Sequence, residues 1–260
     1  MEPVVAIGIP HLGSLPGYFF DSVVFMDLPA GTNTVRVENK PVDTARNAIA
    51  KAFVENKGFT HLFFMDADMV FHKDTLMRLL KHDLPIVSGT YFARTDTPIP
   101  HVYRFSHTDE NGVNWYNSLA GECAEWIRKH PEQAIFNNQH CFDDLGDALV
   151  ECDAVGGGCL LIKREVFEAI EYPYFESDPE TGGAEDFDFC EKAKKAGYRI
   201  FADWSVQANH EARGAFTGRE EFIACWGIGT DWEADFTQPV QIEVRPNGQR
   251  RIRPVRRSVA

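Results

Sequence analysis

The segment THLFFMDADMVFHKD, residues 60–74, sets four consecutive apolar side chains, Leu62 to Met65, directly against two carboxylates two positions apart, Asp66 and Asp68. A short continuous apolar run bounded by polar residues is the pattern of a strand buried on both faces, as in a parallel sheet covered by helices. Residues i and i+2 of an extended chain point to one side, so the carboxylates project together if strand geometry persists, and they can also converge if the chain turns there. Two like charges so close raise each other's ionisation cost unless a cation or hydrogen-bond donors offset it. Magnesium or manganese is the natural cation, because both take hard oxygen ligands and share phosphate oxygens with one or two carboxylates. In open α/β sheets ligands lie outside the carboxyl ends of the strands, where this pair sits. By itself D-x-D is a weak motif, and a turn capped by Asp66 with Asp68 in solvent accounts for it more simply than a metal does.

Outward from this strand the pattern is that of a layered α/β chain. PVVAIGIP reads as a buried opening strand ended by proline. VDTARNAIAKAFVENKG reads as a helix with Asp43 as N-cap, Gly58 as stop and an apolar stripe through Ala45, Ala48, Ile49, Ala52 and Phe53, which leaves Arg46 off the buried face. Strand, helix and strand in that order predict a parallel, doubly wound sheet. KDTLMRLLKHD predicts a helix capped by Asp74, and LPIVSGTYF another strand. HVYRF and VNWYN predict a hairpin with an Asn-Gly turn, and AGECAEWIRKHPEQ a helix. ALVECDAVGGGCLLIKREVFEAI reads as strand, glycine turn, strand and helix, the glycines at 156–158 requiring positive φ or close backbone approach. GGAEDFDFCEKAKKAGYRIFAD is a helix opened by acids, closed by Gly197 and followed by a strand. Beyond residue 215 the pattern weakens, and VQIEVRP and RRIRPV predict two short strands.

Hydrophobic residues make up 44% of the 260 residues, aromatic residues 12% and charged residues 25%, which is the composition of a globular chain with a core. The apolar stretch near the N-terminus is broken at Pro10, short of the roughly 20 residues a membrane span needs, and no basic segment precedes it, so the expectation is a cytoplasmic protein without a membrane span. The six cysteines contain no C-x-x-C pair, which argues against a zinc knuckle and for idle thiols. Net charge is −13; the last 16 residues carry six arginines and no acid, so the rest of the chain stands at −19. Such a body repels anions at long range, and a phosphate-bearing ligand needs a metal or a local arginine to neutralise it. The basic tail is a candidate contact for an anionic partner.

Two families place D-x-D after an apolar strand. FFMDADMV fits haloacid dehalogenase-like phosphatases, where Asp66 would be a phosphorylated nucleophile, and it fits glycosyltransferases of the GT-A fold. The blocks TARNAIAKAFVENKGFTHLFFMDADMVFHKDTLMRLLKHDLPIVSGTYFAR, VECDAVGGGCLLIKREVF and GGAEDFDFCEKAKKAGYRIFADWSVQANH, over about residues 41–210, resemble the family-2-like GT-A glycosyltransferases of bacteria, archaea and phages. In a dehalogenase-like enzyme the nucleophile strand stands near the start of the fold, whereas here a strand-helix unit precedes it.

The resemblance implies a GT-A α/β fold, Rossmann-like, with a mixed, mainly parallel sheet and helices on both faces. It implies transfer of a sugar from a UDP- or GDP-linked donor to the hydroxyl of a glycan, protein or small-molecule acceptor, with inversion, using Mn2+ or Mg2+. Asp68 and His210 would ligate the cation, while Asp66 would contact the ribose and a metal-bound water. Arg46 would partner the base or Asp66, with Asn47 supporting it. Pro10 and His11 in the loop PHLGSLPG, Ala67, and the turn at Gly157 and Gly158 would lie along the donor, with Asp153 as a further sugar contact. Asp186 would be the general base, with Glu185 or Asp188 as fallback. The division expected is a catalytic domain over 1–214, with a nucleotide-binding half to about 95 and an acceptor half from 96, then a C-terminal extension over 215–260. A non-catalytic sugar-nucleotide or glycan-binding module is the remaining alternative.

Overall fold

The computed structural model describes residues 2–95, 97–110, 112–130, 146–177, 184–212, 215–218, 222, 240–244 and 250–254. Along the chain these form β1 (Val5–His11), α1 (Gly17–Phe25), β2 (Asn33–Glu38), α2 (Val42–Glu55), β3 (His61–Met65), β4 (Met69–Phe71), α3 (Thr75–Lys81) and β5 (Ile86–Thr90). There follow β6 (Val102–Thr108), β7 (Asn114–Ser118), α4 (Ala120–Lys129), β8 (Leu149–Cys152), β9 (Ala154–Val155), β10 (Cys159–Lys163) and α5 (Arg164–Ala169). The last elements are α6 (Glu185–Lys195), β11 (Ile200–Ala212), β12 (Ala215–Thr217), β13 (Val240–Val244) and β14 (Arg250–Pro254).

The main sheet runs β12-β11-β5-β10-β3-β1-β2, with β4 and β8 also paired to β11. β1 is parallel to β2 and β3, and β11 is parallel to β5, whereas β10 lies antiparallel between β3 and β5. The sheet is therefore mixed and mainly parallel, with one reversed strand at its centre. Its two faces carry separate cores, and period-2 alternation assigns the side chains. Leu62 and Phe64 of β3 join α2, α5 and α6 on one face, while Phe63 and Met65 join α1 and α3 on the other. All four are fully buried, which is why the run contains no polar residue. A second sheet, β14-β13-β7-β6-β9, holds the expected hairpin, and β13 brings the late part of the chain onto β7.

Several local readings need correction. Asp43 is inside the first turn of α2, whose N-cap is Pro41, and the helix stops at a cap on Asn56 rather than at Gly58. The buried face of α2 is Ala45, Arg46, Asn47, Ile49, Ala50 and Phe53, while Ala48 and Ala52 face solvent. Two methyl groups gain little from burial, and the partners available to Arg46 and Asn47 turn the helix toward them. Asp74 does stand at the N-cap of α3, but its side chain makes no capping bond there. Helix α1 and the edge strand β2 lie in residues 17–38, to which the sequence reading assigned no element. The glycines at 156–158 are not among the positive-φ positions, so close approach is their reason. Cys123, Cys152, Cys159 and Cys190 are buried free thiols, with burial pushing Cys159 up to about 12. Cys141, Cys225, the segment CWGIGTDWEADF and most of the basic tail lie outside the described residues. Among the described residues no helix is long and apolar enough to cross a membrane.

Candidate active site

β3 ends at Met65, and the chain turns through Ala67 and Asp68 before β4, so strand geometry does not persist across D-x-D. Two neighbours hold the turn: the Asp66 amide donates to the Gly158 carbonyl at 3.0 Å, and the Glu211 amide donates to the Asp68 carbonyl at 2.8 Å. The two carboxylates consequently meet different partners. Asp66 faces α2 and the glycine turn, and Asp68 faces the end of β11.

Arg46 is the hub on the first side. Its guanidinium donates from Nη2 to both Asp66 carboxylate oxygens at 3.0 and 3.2 Å, from Nη1 to the Gly157 carbonyl at 2.6 Å, and from Nε to Glu185 Oε1 at 3.2 Å. It is 2% exposed and lies over the Phe64 ring. Burial opposes its charge, but Asp66 and Glu185 outweigh that and raise its pKa above the ordinary arginine value. For Asp66 burial comes first and drives the pKa up against the pull of Arg46, with Asp68 adding repulsion. A Cβ on Gly157 would lie 2.5 Å from Arg46 Nη1, and one on Gly156 would collide with the Tyr91 hydroxyl. This crowding accounts for the glycines.

On the second side, His210 Nδ1 lies 3.1 Å from the Phe92 carbonyl and its Nε2 lies 3.5 Å from Asp68 Oδ2. A carbonyl only accepts, so Nδ1 carries a proton, and Nε2 is the ring nitrogen turned toward the carboxylate. The ring nitrogen and the carboxylate oxygen thus face one another at 3.5 Å. A ring held at Nδ1 by a carbonyl with Nε2 presented is also how metal-ligating histidines are oriented. Arg94 Nη1 donates to the same Asp68 oxygen at 2.8 Å. Burial would raise the Asp68 pKa, but the His210 hydrogen bond and the charges of His210 and Arg94 hold it below the usual carboxylate value.

Asp186 is 7% exposed in the first turn of α6, where its Oδ1 accepts from the Phe187 amide at 3.0 Å. Its charge is felt at Asp66, Arg46 and Tyr91. Glu185 is engaged by Arg46. Asp188 accepts from the Glu176 amide at 2.9 Å and pairs with Lys192 at 2.8 Å, so it is committed elsewhere. Asp153 is likewise tied, to the Phe105 amide and to Lys194. The Asn47 amide is spent on the backbone of Tyr174 and Phe175, with bonds of 2.6, 2.8 and 3.1 Å, so what it supports is that segment. Pro10 is buried near the end of β1, His11 Nδ1 lies 2.8 Å from the Gly13 carbonyl, and Ala67 packs against the second core.

Three residues near the site had no role in the sequence reading: Tyr91, Arg94 and His101. The loop joining β5 to β6 closes on itself through Ala93 N to Ile99 O at 2.8 Å and His101 N to Tyr91 O at 2.9 Å. That stacks the His101 ring on Tyr91 with centroids 4.6 Å apart, and places it 6.3 Å from the His210 ring. The Tyr91 hydroxyl accepts from the Gly158 amide at 3.1 Å, and burial with nearby Asp66 and Asp186 keeps its proton on. Only the loop pairing brings these residues to the site, and no local sequence pattern announces it. Among the described residues no group of three or more His, Cys, Asp or Glu side chains could hold a metal. Asp66 is turned to Arg46, so Asp66, Asp68 and His210 are not brought together as one cluster, while Asp68 and His210 face one another. Two protein ligands are the usual complement for a cation whose remaining positions go to water and phosphate oxygens.

Sheet order, reversed central strand and the position of this cluster define a GT-A-like, Rossmann-type α/β fold. The chain is similar to A197 from STIV, at 20% identity and TM-score 0.55 over 84% of this chain and 91% of that one. It is also similar to GalNAc-T7 in its crystal structure with UDP, GalNAc and Mn2+, at 12% identity and TM-score 0.50 over 91% of this chain and 49% of that one. No protein-family model and no curated protein sequence matches the chain.

Proposed function

We propose that the protein is a glycosyltransferase that moves a sugar from a UDP- or GDP-linked donor to an acceptor hydroxyl with inversion, using Mn2+ or Mg2+. The observation that carries the reading is the His210 ring, locked by Phe92 with Nε2 facing Asp68 in the turn after β3. The fold likeness to GalNAc-T7, whose structure contains UDP and Mn2+, supports it. Asp68 and His210 would hold the cation, which when bound supplies charge stabilisation for a departing nucleoside diphosphate. Arg46 fixes Asp66 in place and neutralises it, whereas Asp68 is held by Arg94 and faces His210. Asp186 accepts the proton of the attacking hydroxyl. Its charge acts on Asp66, Arg46 and Tyr91, which places it beside the cluster, whereas Asp188 is paired with Lys192. The pairing of both Asp66 oxygens with Arg46 argues against Asp66 as a phosphatase nucleophile, which needs a free oxygen aimed at phosphorus. The second sheet, with β6 and β7, would carry the acceptor side.

The test is incubation with a panel of UDP- and GDP-sugars, with and without Mn2+ and with a generic phosphoester as control. Sugar-nucleotide turnover lost on chelation is expected. Asp186→Asn should keep UDP affinity near wild type while cutting turnover by about 100-fold or more, the usual cost of losing a general base. Phosphoester cleavage without sugar-nucleotide turnover would restore the phosphatase reading. Donor binding without any turnover would favour the binding module.

A further inference from the structure

This inference rests on the site's taking a cation and a diphosphate, and it concerns Arg94. The two guanidiniums of the site differ in kind. Arg46 is buried, and Nε, Nη1 and Nη2 are all engaged by protein acceptors. Arg94 has 47% of its side chain exposed and uses Nη1 alone, at 2.8 Å from Asp68 Oδ2 and 3.5 Å from the Glu211 carbonyl. Its Nε and Nη2 make no hydrogen bond to the described residues, which leaves one planar two-donor edge unused by them. That edge matches the geometry of two phosphate oxygens. The backbone beneath is pinned, through Ala93 to Ile99 and Tyr91 to His101, so the side chain can turn without the loop rearranging.

The oxygen that Arg94 holds is the one that faces His210 Nε2. A divalent ion bound directly to Asp68 Oδ2 and the Arg94 guanidinium on the same oxygen would be two cations in contact. We propose that Arg94 is the resident counter-cation of Asp68, that a divalent ion displaces it, and that the displaced guanidinium then binds the diphosphate. Such an exchange keeps Asp68 paired before the ion arrives. It also delivers a second positive group to the ligand in a chain whose net charge of −13 otherwise repels anions.

The experiment uses the full chain, with Mn2+ binding measured without nucleotide, by calorimetry or by the spin-resonance signal of free Mn2+, and UDP and GDP binding measured at saturating Mn2+. Arg94→Ala is expected to bind Mn2+ alone several-fold more tightly than wild type, because its competitor is gone, and to bind the nucleoside diphosphate at least ten-fold more weakly. Arg94→Lys is expected to keep wild-type Mn2+ affinity yet lose most of the nucleotide affinity, since an ammonium cannot replace the two-donor edge. Unchanged or weaker Mn2+ binding by Arg94→Ala overturns the exchange, and unchanged nucleotide binding overturns the phosphate role. Asp68→Ala serves as reference. If wild type binds neither Mn2+ nor either nucleotide, the functional reading fails and takes this inference with it. If wild type binds both and the Arg94 variants match it, only the inference fails.

Discussion

His61 shows how strand β3 couples charge to stability at a single residue. It opens β3, opposite Val5 on one side and Lys163 on the other, with Nδ1 2.8 Å from the Thr60 hydroxyl. Burial first, and the Lys163 charge second, push its pKa down to about 4, against the pull of Asp83. The native state thus prefers the neutral ring, while the unfolded chain protonates near the ordinary value of about 6.5. The sign follows: this contribution is fully present above pH 6.5 and is lost as the pH falls from there toward 4. After allowance for partial exposure it amounts to roughly 2 kcal/mol. His61→Gln should therefore flatten the pH dependence of urea-unfolding free energy between pH 7 and 4.5, and equal slopes for variant and wild type would remove His61 as the cause. Arg46 teaches the opposite lesson about what a sequence reveals. A helix stripe of Ala45, Ala48, Ile49, Ala52 and Phe53 left it off the buried face, and it was the resemblance that set it beside the base or Asp66; acceptors 20, 111 and 139 residues away, at Asp66, Gly157 and Glu185, explain its burial. Long-range pairing of a charge leaves no local trace in sequence.

Among the elements, those legible beforehand had a pattern set by burial on two faces, by a turn, or by a helical stripe with end signals, as in α2, α3, α4 and α6. HLFFM became β3 residue for residue, and HVYRF with VNWYN became the β6–β7 hairpin. Helix α1 and strand β2 were missed for a physical reason. In GYFFDSVVF the large residues Phe20, Val24 and Phe25 face solvent, so no buried stripe stands out, and β2 is an edge strand without a fully buried residue. The reversal of β10 was equally invisible, since CLLIK is as apolar in one direction as in the other. The link from β9 to β10 has the clearest consequence. A Cβ at Gly157 would press on a guanidinium that cannot step aside, because the Gly157 carbonyl, Asp66 and Glu185 all hold it. Gly157→Ala should cost about 1–3 kcal/mol, as overpacking of a rigid interior does, and should weaken UDP binding in Mn2+. Gly17→Ala, with open space at the Cβ position at the start of α1, is the control and should be neutral or slightly stabilising. Thermal unfolding of the two variants side by side separates the effects, and similar melting points would mean that the glycine turn yields more readily than its contacts imply.

For the molecule as a whole, charge sets a kinetic condition on the proposed site. A body at −13 overall, and −19 without its arginine-rich last 16 residues, surrounds Asp66, Asp68 and Asp186 with a repulsive field for any diphosphate. The positive groups at the site act within a few ångströms, whereas the body acts over the Debye length, which shrinks from about 30 Å at 0.01 M salt to about 8 Å at 0.15 M. Raising salt therefore removes the long-range repulsion before it weakens the short-range attraction. The association rate of UDP with the Mn2+-saturated protein should rise between these two concentrations, by a factor of roughly two to ten, where a ligand drawn to a basic cleft would slow. Mn2+ entering the nucleotide-free protein feels the same field with the opposite sign, and its association should slow over the same range. Stopped-flow measurement of both steps gives two slopes of opposite sign from one electrostatic origin. A UDP rate that fell with salt would mean that the field at the mouth of the site is positive, and that Arg46, Arg94 and the cation outweigh the acidic body well beyond contact distance.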